Sequence, residues 1–269
     1  MIPFPDISPI ALQLGPVAIR WYGLSYLAGI SLGWWILSRR ARATPALGWT
    51  PEAVADLVFY AALGAVLGGR MGYVLFYNFR EYAADPSEIL AVWRGGMSFH
   101  GGVIGLVTAL MIYVRATGRQ FFTTADFILP VVPIGLAFGR LANFINQELW
   151  GAPTLLPWGV LFTAPGAGGV ARHPSQLYEA CLEGLLLFLL LDWLRRRGAR
   201  TGALSATFLM GYAVSRFLVE FVREPDVQLG YLWGGWLTMG QVLSLPMFVA
   251  GLLILRRSRR WPTSQGPSA

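Results

Sequence analysis

Seven apolar runs of about 17 to 25 residues, over residues 21–37, 53–77, 97–114, 121–138, 176–194, 202–221 and 237–255, constrain this chain more than any other feature. At a rise of about 1.5 Å per residue, a helix of that length crosses a hydrocarbon core about 30 Å thick. An aqueous fold is excluded on composition: 55% of residues are hydrophobic and 13% charged, against about 25% charged in an average soluble domain. The net charge of +7 does not point to nucleic acid, because all 21 basic residues are arginine and most sit in clusters at the ends of alternate runs. Arg39, Arg40 and Arg42 follow the first run, Arg115 and Arg119 the third, Arg195, Arg196, Arg197 and Arg200 the fifth, and Arg256, Arg257, Arg259 and Arg260 the last. Arginine-rich connections stay on the cytoplasmic side, so the N-terminus is expected outside and the C-terminus inside.

The expected fold is therefore an all-α polytopic membrane protein of seven transmembrane helices, forming a single membrane domain over residues 1–269. Residues 1–19, with Pro3, Pro5, Pro9 and Pro16, suit an interfacial arm. Residues 78–95 form an outer arm with a turn at Asp85-Pro86-Ser87, and the proline- and glycine-rich residues 149–175 form a small extracytoplasmic head. The first residues lack a basic region followed by a short apolar core and a small-residue cleavage site, so the first span is expected to act as its own targeting signal. The one cysteine, Cys181, excludes an intramolecular disulfide and reads as a small buried hydrophobe. No internal repeat supports an inverted-repeat transporter.

Ionisable groups within a bilayer are expensive and mark functional sites. Under this topology Tyr22, Arg70, His100, Arg140, Glu179 and Arg216, with Glu220 and Arg223 one and two turns beyond, gather at one outer-leaflet level, which implies a polar cavity. Each has a structural alternative: Arg216 with Glu220 as a same-face ion pair, Arg70 as a snorkelling side chain, His100 as a packing histidine, Tyr22 as an interfacial anchor and the glycines as helix contacts. The stretch from Gly139 to Gly151 is the most polar near a span, and a continuing helix would put Arg140, Asn143 and Gln147 on one face. Two histidines and one cysteine without ligand spacing argue against a metal, and no nucleotide-binding pattern occurs.

The segment Gly139-Arg140-x-x-Asn143-Phe144-Ile145-Asn146-x-Glu148-Leu149-Trp150-Gly151 resembles the signature of the prolipoprotein diacylglyceryl transferase family. The resemblance extends to Trp21-Tyr22-Gly23-Leu24, Gly68-Gly69-Arg70-x-Gly72-Tyr73, Gly95 to Gly102, Arg172-His173-Pro174-Ser175-Gln176-Leu177-Tyr178-Glu179, and Arg216-Phe217-x-x-Glu220-Phe221-x-Arg223-x-Pro225-Asp226, over nearly the whole chain. It departs at Gln147, where the family pattern has glycine, and a side chain there is expected to narrow the cavity or alter the helix end.

The resemblance implies transfer of a diacylglyceryl group from phosphatidylglycerol to the lipobox cysteine of a preprolipoprotein signal peptide, giving a thioether and glycerol phosphate. This is the first step of bacterial lipoprotein maturation. It implies catalytic roles for His100, Arg140, Arg216 and Tyr22, and substrate contacts from Arg70, Asn143, Asn146, Glu148, Gly151, Glu220 and Arg223. Neither a cofactor nor a metal is expected. The setting would be the bacterial inner membrane, with the site towards the outer leaflet. The residues suit the chemistry: guanidinium groups hold phosphate oxygens, and a thiol needs a base or an electropositive site to react near neutral pH. The competing class, a carrier of an anionic lipid or solute, would need polar groups through the whole membrane thickness, whereas the inner halves of these runs are mostly apolar. An intramembrane protease would need a nucleophile and base or paired aspartates, and Asp56, Asp126 and Asp192 lie towards inner ends.

Overall fold

Apolar sequence of membrane length folds into helix because only a helix satisfies its own backbone without water. In a computed structural model of the chain, four helical stretches among the described residues are long and apolar enough to cross a membrane: Pro51–Phe76, Phe99–Thr117, Phe121–Ile145 and Met239–Ser258. The structure describes residues 1–5, 7–91, 95–225 and 230–261. Arg94 of the expected outer arm and Asp226 at the end of the last motif lie outside the described residues.

Strand β1 (Ile2–Pro3) and the pair β2 (Ile10–Leu14) and β3 (Val17–Arg20) precede helix α1 (Trp21–Ala43). Helices α2 (Pro51–Phe76), α3 (Phe79–Ala84), α4 (Phe99–Thr117), α5 (Phe121–Ile128) and α6 (Val132–Ile145) follow. Strands β4 (Val160–Leu161) and β5 (Ala171–Arg172) lead to α7 (Ser175–Glu179), a π-helical segment (Ala180–Leu186), α8 (Leu187–Arg196), α9 (Ala203–Val219) and α10 (Met239–Ser258). The chain divides into two compact units, one of Met1–Ile36 with Asp126–Ala269 and one of Leu37–Ala125.

In the Leu37–Ala125 unit, α2 and α4 meet along small residues at four-residue spacing. Gly64, Gly68 and Gly72 face Gly101, Gly105 and Ala109 so closely that a Cβ on Gly68 would overlap the Gly101 carbonyl and stand 2.6 Å from Gly105 Cα. Such seams let apolar helices associate where there is no water to drive them together. These glycines are helix contacts. Thr50 caps α2 and Ser98 caps α4 through their side-chain oxygens, and Tyr113 on α4 donates to the Ala53 carbonyl at 3.0 Å.

The larger unit contains two changes of helix type that apolar periodicity does not foretell. Pro130 and Pro133 remove backbone donors, and a short 3-10 turn over Leu129–Val131 separates α5 from α6. The single helix expected over 176–194 runs unbroken over residues 175–196, with the π-helical segment Ala180–Leu186 joining α7 to α8. Gly184 in that segment abuts α6, where an added Cβ would lie 2.6 Å from Ala137 Cβ. Asp126 in α5 accepts hydrogen bonds from Gly202 N, Ser205 N and Ser205 Oγ at 2.5, 2.8 and 2.6 Å, which caps α9 from outside its own chain segment.

Short strands add to the all-α expectation. The two-residue turn Gly15-Pro16, with Gly15 at φ +58°, lets β2 and β3 pair antiparallel. β1 runs parallel to β4, which pairs antiparallel with β5. Beside this sheet Phe4, Phe144, Trp150 and Phe162 form one aromatic cluster, with ring centroids 5.4 Å apart for Phe4 and Phe144 and 5.8 Å apart for Trp150 and Phe162. The start of the chain is thereby tied to the segment after α6.

Replacing Gly105 by leucine should separate α2 from α4 and lower stability by about 1 to 3 kcal/mol, the usual cost of overpacking. Thermal unfolding of the detergent-solubilised protein measures this, and an unchanged midpoint would mean that the seam adapts.

Candidate active site

Three arginines and three glutamates from α6, α7, the π-helical segment and the end of α9 form a buried charge lattice. Arg140, near the end of α6, places Nε 3.1 Å from Glu179 Oε2 and Nη2 3.5 Å from Glu183 Oε2. Neither of those oxygens receives an aligned hydrogen bond, so both contacts are ionic rather than directed. Arg216 on α9 is held differently. Its Nη1 donates to Glu179 Oε1 at 2.5 Å and its Nη2 pairs with Glu220 one turn on. Arg223 Nη1 lies 3.4 Å from Glu220 Oε1. Thr238, the residue that caps α10, donates its hydroxyl to Glu220 Oε2 at 2.5 Å. Gly240 leaves the space this carboxylate needs, because a Cβ there would stand 2.6 Å from it.

Burial is graded through this lattice. The Glu179 and Glu183 side chains are fully buried, whereas Arg140 and Arg216 keep 17% and 15% of their side-chain surface. An incoming group therefore meets guanidinium first, with carboxylate behind it. The carboxylates fix the forks in place, and removing one partner of such a buried pair costs about 3 to 5 kcal/mol.

Tyr22 and Tyr26 on α1 stack edge to face, with hydroxyls 3.3 Å apart. Tyr22 lies within electrostatic range of both Arg140 and Glu148. Just past α6, Glu148 Oε1 accepts from Asn143 Nδ2 at 2.7 Å and lies 3.4 Å from Asn146 Nδ2, so the two amides orient one carboxylate. Gly151 sits where three segments cross. Its N–H donates to His173 O at 2.8 Å, and a Cβ would overlap Val222 O and stand 2.6 Å from His173 Cβ. Its contribution is the absence of a side chain. Arg172 braces this crossing by donating to Ala167 O at 2.7 Å and to Glu224 Oε2 at 2.7 Å. Burial lowers the pKa of the His173 imidazole, and its Nδ1 stands 3.2 Å from the Tyr178 hydroxyl, which in turn accepts from Trp158 Nε1 at 2.8 Å.

The structure thus gathers Tyr22, Arg140, Asn143, Asn146, Glu148, Gly151, Arg216, Glu220 and Arg223 within one unit. Arg70 and His100 belong to the other. Arg70 is 3% exposed, and its guanidinium donates to the carbonyls of Glu88, Ile89, Gly95 and Gly96 at 2.6, 2.9, 2.5 and 3.1 Å. Its donors serve the backbone of the segment before α4. His100 stands exposed in the first turn of α4, with the Phe99 ring edge-on at 5.8 Å.

The shared face expected for Arg140, Asn143 and Gln147 also changes. Helix α6 ends at Ile145, and Gln147 turns out of it at φ +52°, a left-handed conformation that glycine adopts without cost. Its amide oxygen then accepts from Thr163 N at 2.6 Å and Ala164 N at 3.0 Å, while Nε2 donates to Thr163 Oγ1 at 2.9 Å. Sequence reasoning also passed over Glu183, Tyr26 and Tyr212. Each was signalled by helical spacing from a chosen residue: Glu183 four after Glu179, Tyr26 four after Tyr22, and Tyr212 four before Arg216.

Four membrane-length apolar helices among the described residues, with a buried arginine–glutamate lattice between helices, define a membrane protein of several spans. The family described as prolipoprotein diacylglyceryl transferase matches residues 9–257. The chain is 53% identical over 269 residues to phosphatidylglycerol–prolipoprotein diacylglyceryl transferase of Nitratidesulfovibrio vulgaris, covering 100% of both chains. It is 54% identical over 255 residues to the protein of that name from Methylococcus capsulatus, covering 95% of this chain and 97% of the relative. A Vibrio vulnificus relative of the same name is 54% identical over 254 residues, covering 94% and 92%. The chain belongs to the prolipoprotein diacylglyceryl transferase family.

Two variants separate the strain at Gln147 from its clamp. Gln147→Ala keeps the left-handed backbone and loses the side-chain hydrogen bonds to Thr163 and Ala164, so it should destabilise by about 1 to 3 kcal/mol; Gln147→Gly should recover about 1 kcal/mol of that. Equal melting points for the two variants would show that the backbone carries no strain.

Proposed function

We propose that this chain transfers the diacylglyceryl group of phosphatidylglycerol to the lipobox cysteine thiol of preprolipoprotein signal peptides, releasing glycerol phosphate, as the first step of bacterial lipoprotein maturation. The observation that carries the reading is the pair of partly exposed guanidinium groups, Arg140 and Arg216, over fully buried carboxylates in a chain of this family. The reaction makes a carbon–sulfur bond and breaks the carbon–oxygen bond to phosphate, whose oxygen takes the electron pair. Arg140 and Arg216 stabilise that growing charge with preoriented donors. His100 accepts the thiol proton, Tyr22 orients the headgroup beside Arg140, and Asn143, Asn146 and Glu148 form a polar wall that contacts it. Glu220 and Arg223 hold Arg216 in register, Gly151 lets the wall close, and Arg70 acts through the segment it tethers.

The same reading places a single seven-span membrane domain in the bacterial inner membrane, N-terminus outside and C-terminus cytoplasmic. Residues 1–19 lie at the interface, and residues 78–95 and 149–175 form the outer arm and head beside the outer-leaflet site. The Arg clusters and the level shared by the polar residues support this orientation.

Incubation with phosphatidylglycerol and a lipobox peptide should add one diacylglyceryl mass to the peptide, and a serine peptide should remain unmodified, since a hydroxyl is the weaker nucleophile near neutral pH. Arg140→Lys should turn over about a hundredfold more slowly, because lysine keeps charge but loses the planar fork, worth about 3 kcal/mol in the transition state. Near-normal transfer by folded Arg140→Ala and Arg216→Ala would place the phosphate elsewhere.

The orientation is tested by single cysteines in residues 149–175 of a chain lacking Cys181. They should react with a membrane-impermeant thiol reagent in spheroplasts. Labelling only after lysis would reverse the topology.

A further inference from the structure

Among the described residues, six lattice charges face one another. Arg140, Arg216 and Arg223 supply three positive charges; Glu179, Glu183 and Glu220 supply three negative charges when ionised. A phosphodiester headgroup brings one more negative charge, and an uncompensated charge is expensive where water is excluded. The remedy that disturbs least is to protonate the carboxylate with the fewest directed donors. Glu220 accepts from Thr238 and Arg223 and pairs with Arg216. Glu179 accepts from Arg216. Glu183 is fully buried, and neither of its oxygens receives an aligned hydrogen bond.

The surroundings of Glu183 suit such an exchange. Gly184 lets its segment press against Ala137, one turn before Arg140 on α6. The charged and titratable groups that face it are Arg140 from α6, Glu179 from α7, and Arg216 and Tyr212 from α9. As Arg140 turns towards a phosphate, Glu183 keeps the weaker share of that guanidinium. A protonated Glu183 also gains a donor of its own, which an ionised carboxylate lacks.

We propose that Glu183 takes up a proton as the anionic headgroup binds and returns it when the phosphate product leaves, so that headgroup binding is proton-coupled. This rests on the reading above that Arg140 and Arg216 hold the phosphate. Glu183 acts through the lattice and needs no contact with the substrate.

The test is titration of the purified full-length protein in detergent micelles with short-chain phosphatidylglycerol, in two buffers of different ionisation enthalpy. A phosphodiester does not titrate near neutral pH, so any proton taken up belongs to the protein. Wild type should take up about one proton per headgroup at pH 7, and its affinity should fall as pH rises, approaching about tenfold per pH unit. Glu183→Gln, which is isosteric and permanently neutral, should bind at least as tightly at pH 7, take up no proton and show an affinity independent of pH. Wild-type binding without proton uptake overturns the proposal and needs no variant. Uptake that persists in Glu183→Gln assigns the proton to another group and overturns it too. Failure of wild type to bind, or Arg140→Lys binding as tightly as wild type, refutes the phosphate site itself.

Discussion

A carboxylate taken out of water must find positive charge or lose its ionisation, and in this protein Glu179 finds Arg140, Arg216 and, at 3.9 Å, Arg223. It is fully buried at the end of α7 and lies between Arg140 of α6 and Arg216 of α9. One ion therefore fixes the relative placement of three helices, and Glu220, reached by Thr238, ties α10 to the same lattice. Each removal leaves an opposite charge buried, so the fold and the proposed phosphate site draw on the same contacts. Such ions are an uncertain source of net stability, but they select strongly among helix arrangements, because wrong partners cannot satisfy them.

Small residues make the arrangement reachable. A guanidinium meets a carboxylate on another helix only if the backbones come close, and Gly184 against Ala137 gives that approach beside Arg140. Gly29 of α1 does the same against Gly135, where a Cβ would lie 3.0 Å from Gly135 Cα. Among apolar helices the gain comes from close packing rather than from release of water, so a lost glycine costs contact along the whole seam.

Much of this was legible in the sequence because both signals are expensive to fake. A run of apolar residues must leave water, and an arginine within it must be paired, so Arg140, Arg216 and Glu220 stood out before any coordinates. What charge cannot reveal is the partner. Arg70 looked like Arg140 by composition, yet its donors serve backbone carbonyls. Gln147 kept helical spacing with Arg140, but the chain turns left-handed there, and its amide faces Thr163 and Ala164. Glu183 carried the same signal as Glu179 and was passed over because it lies one turn deeper in the apolar run. The Gly15-Pro16 hairpin was hidden among prolines that speak against a span without specifying what replaces it.

The two central arginines are not equivalent, and the difference follows from their partners. Arg216 is bound by a directed hydrogen bond to Glu179 and by its own-helix pair with Glu220, so its fork is set before a ligand arrives. Arg140 touches Glu179 and Glu183 without aligned bonds. A guanidinium held by charge alone can rotate towards phosphate oxygens without first breaking a hydrogen bond, and so loses less on binding. In the proposed reaction, Arg216 supplies preorganisation and Arg140 supplies adaptation. Catalysis gains most from contacts that strengthen as charge develops on the leaving oxygen, and in the proposed reaction Arg140 is the arginine whose bonds have the most left to gain.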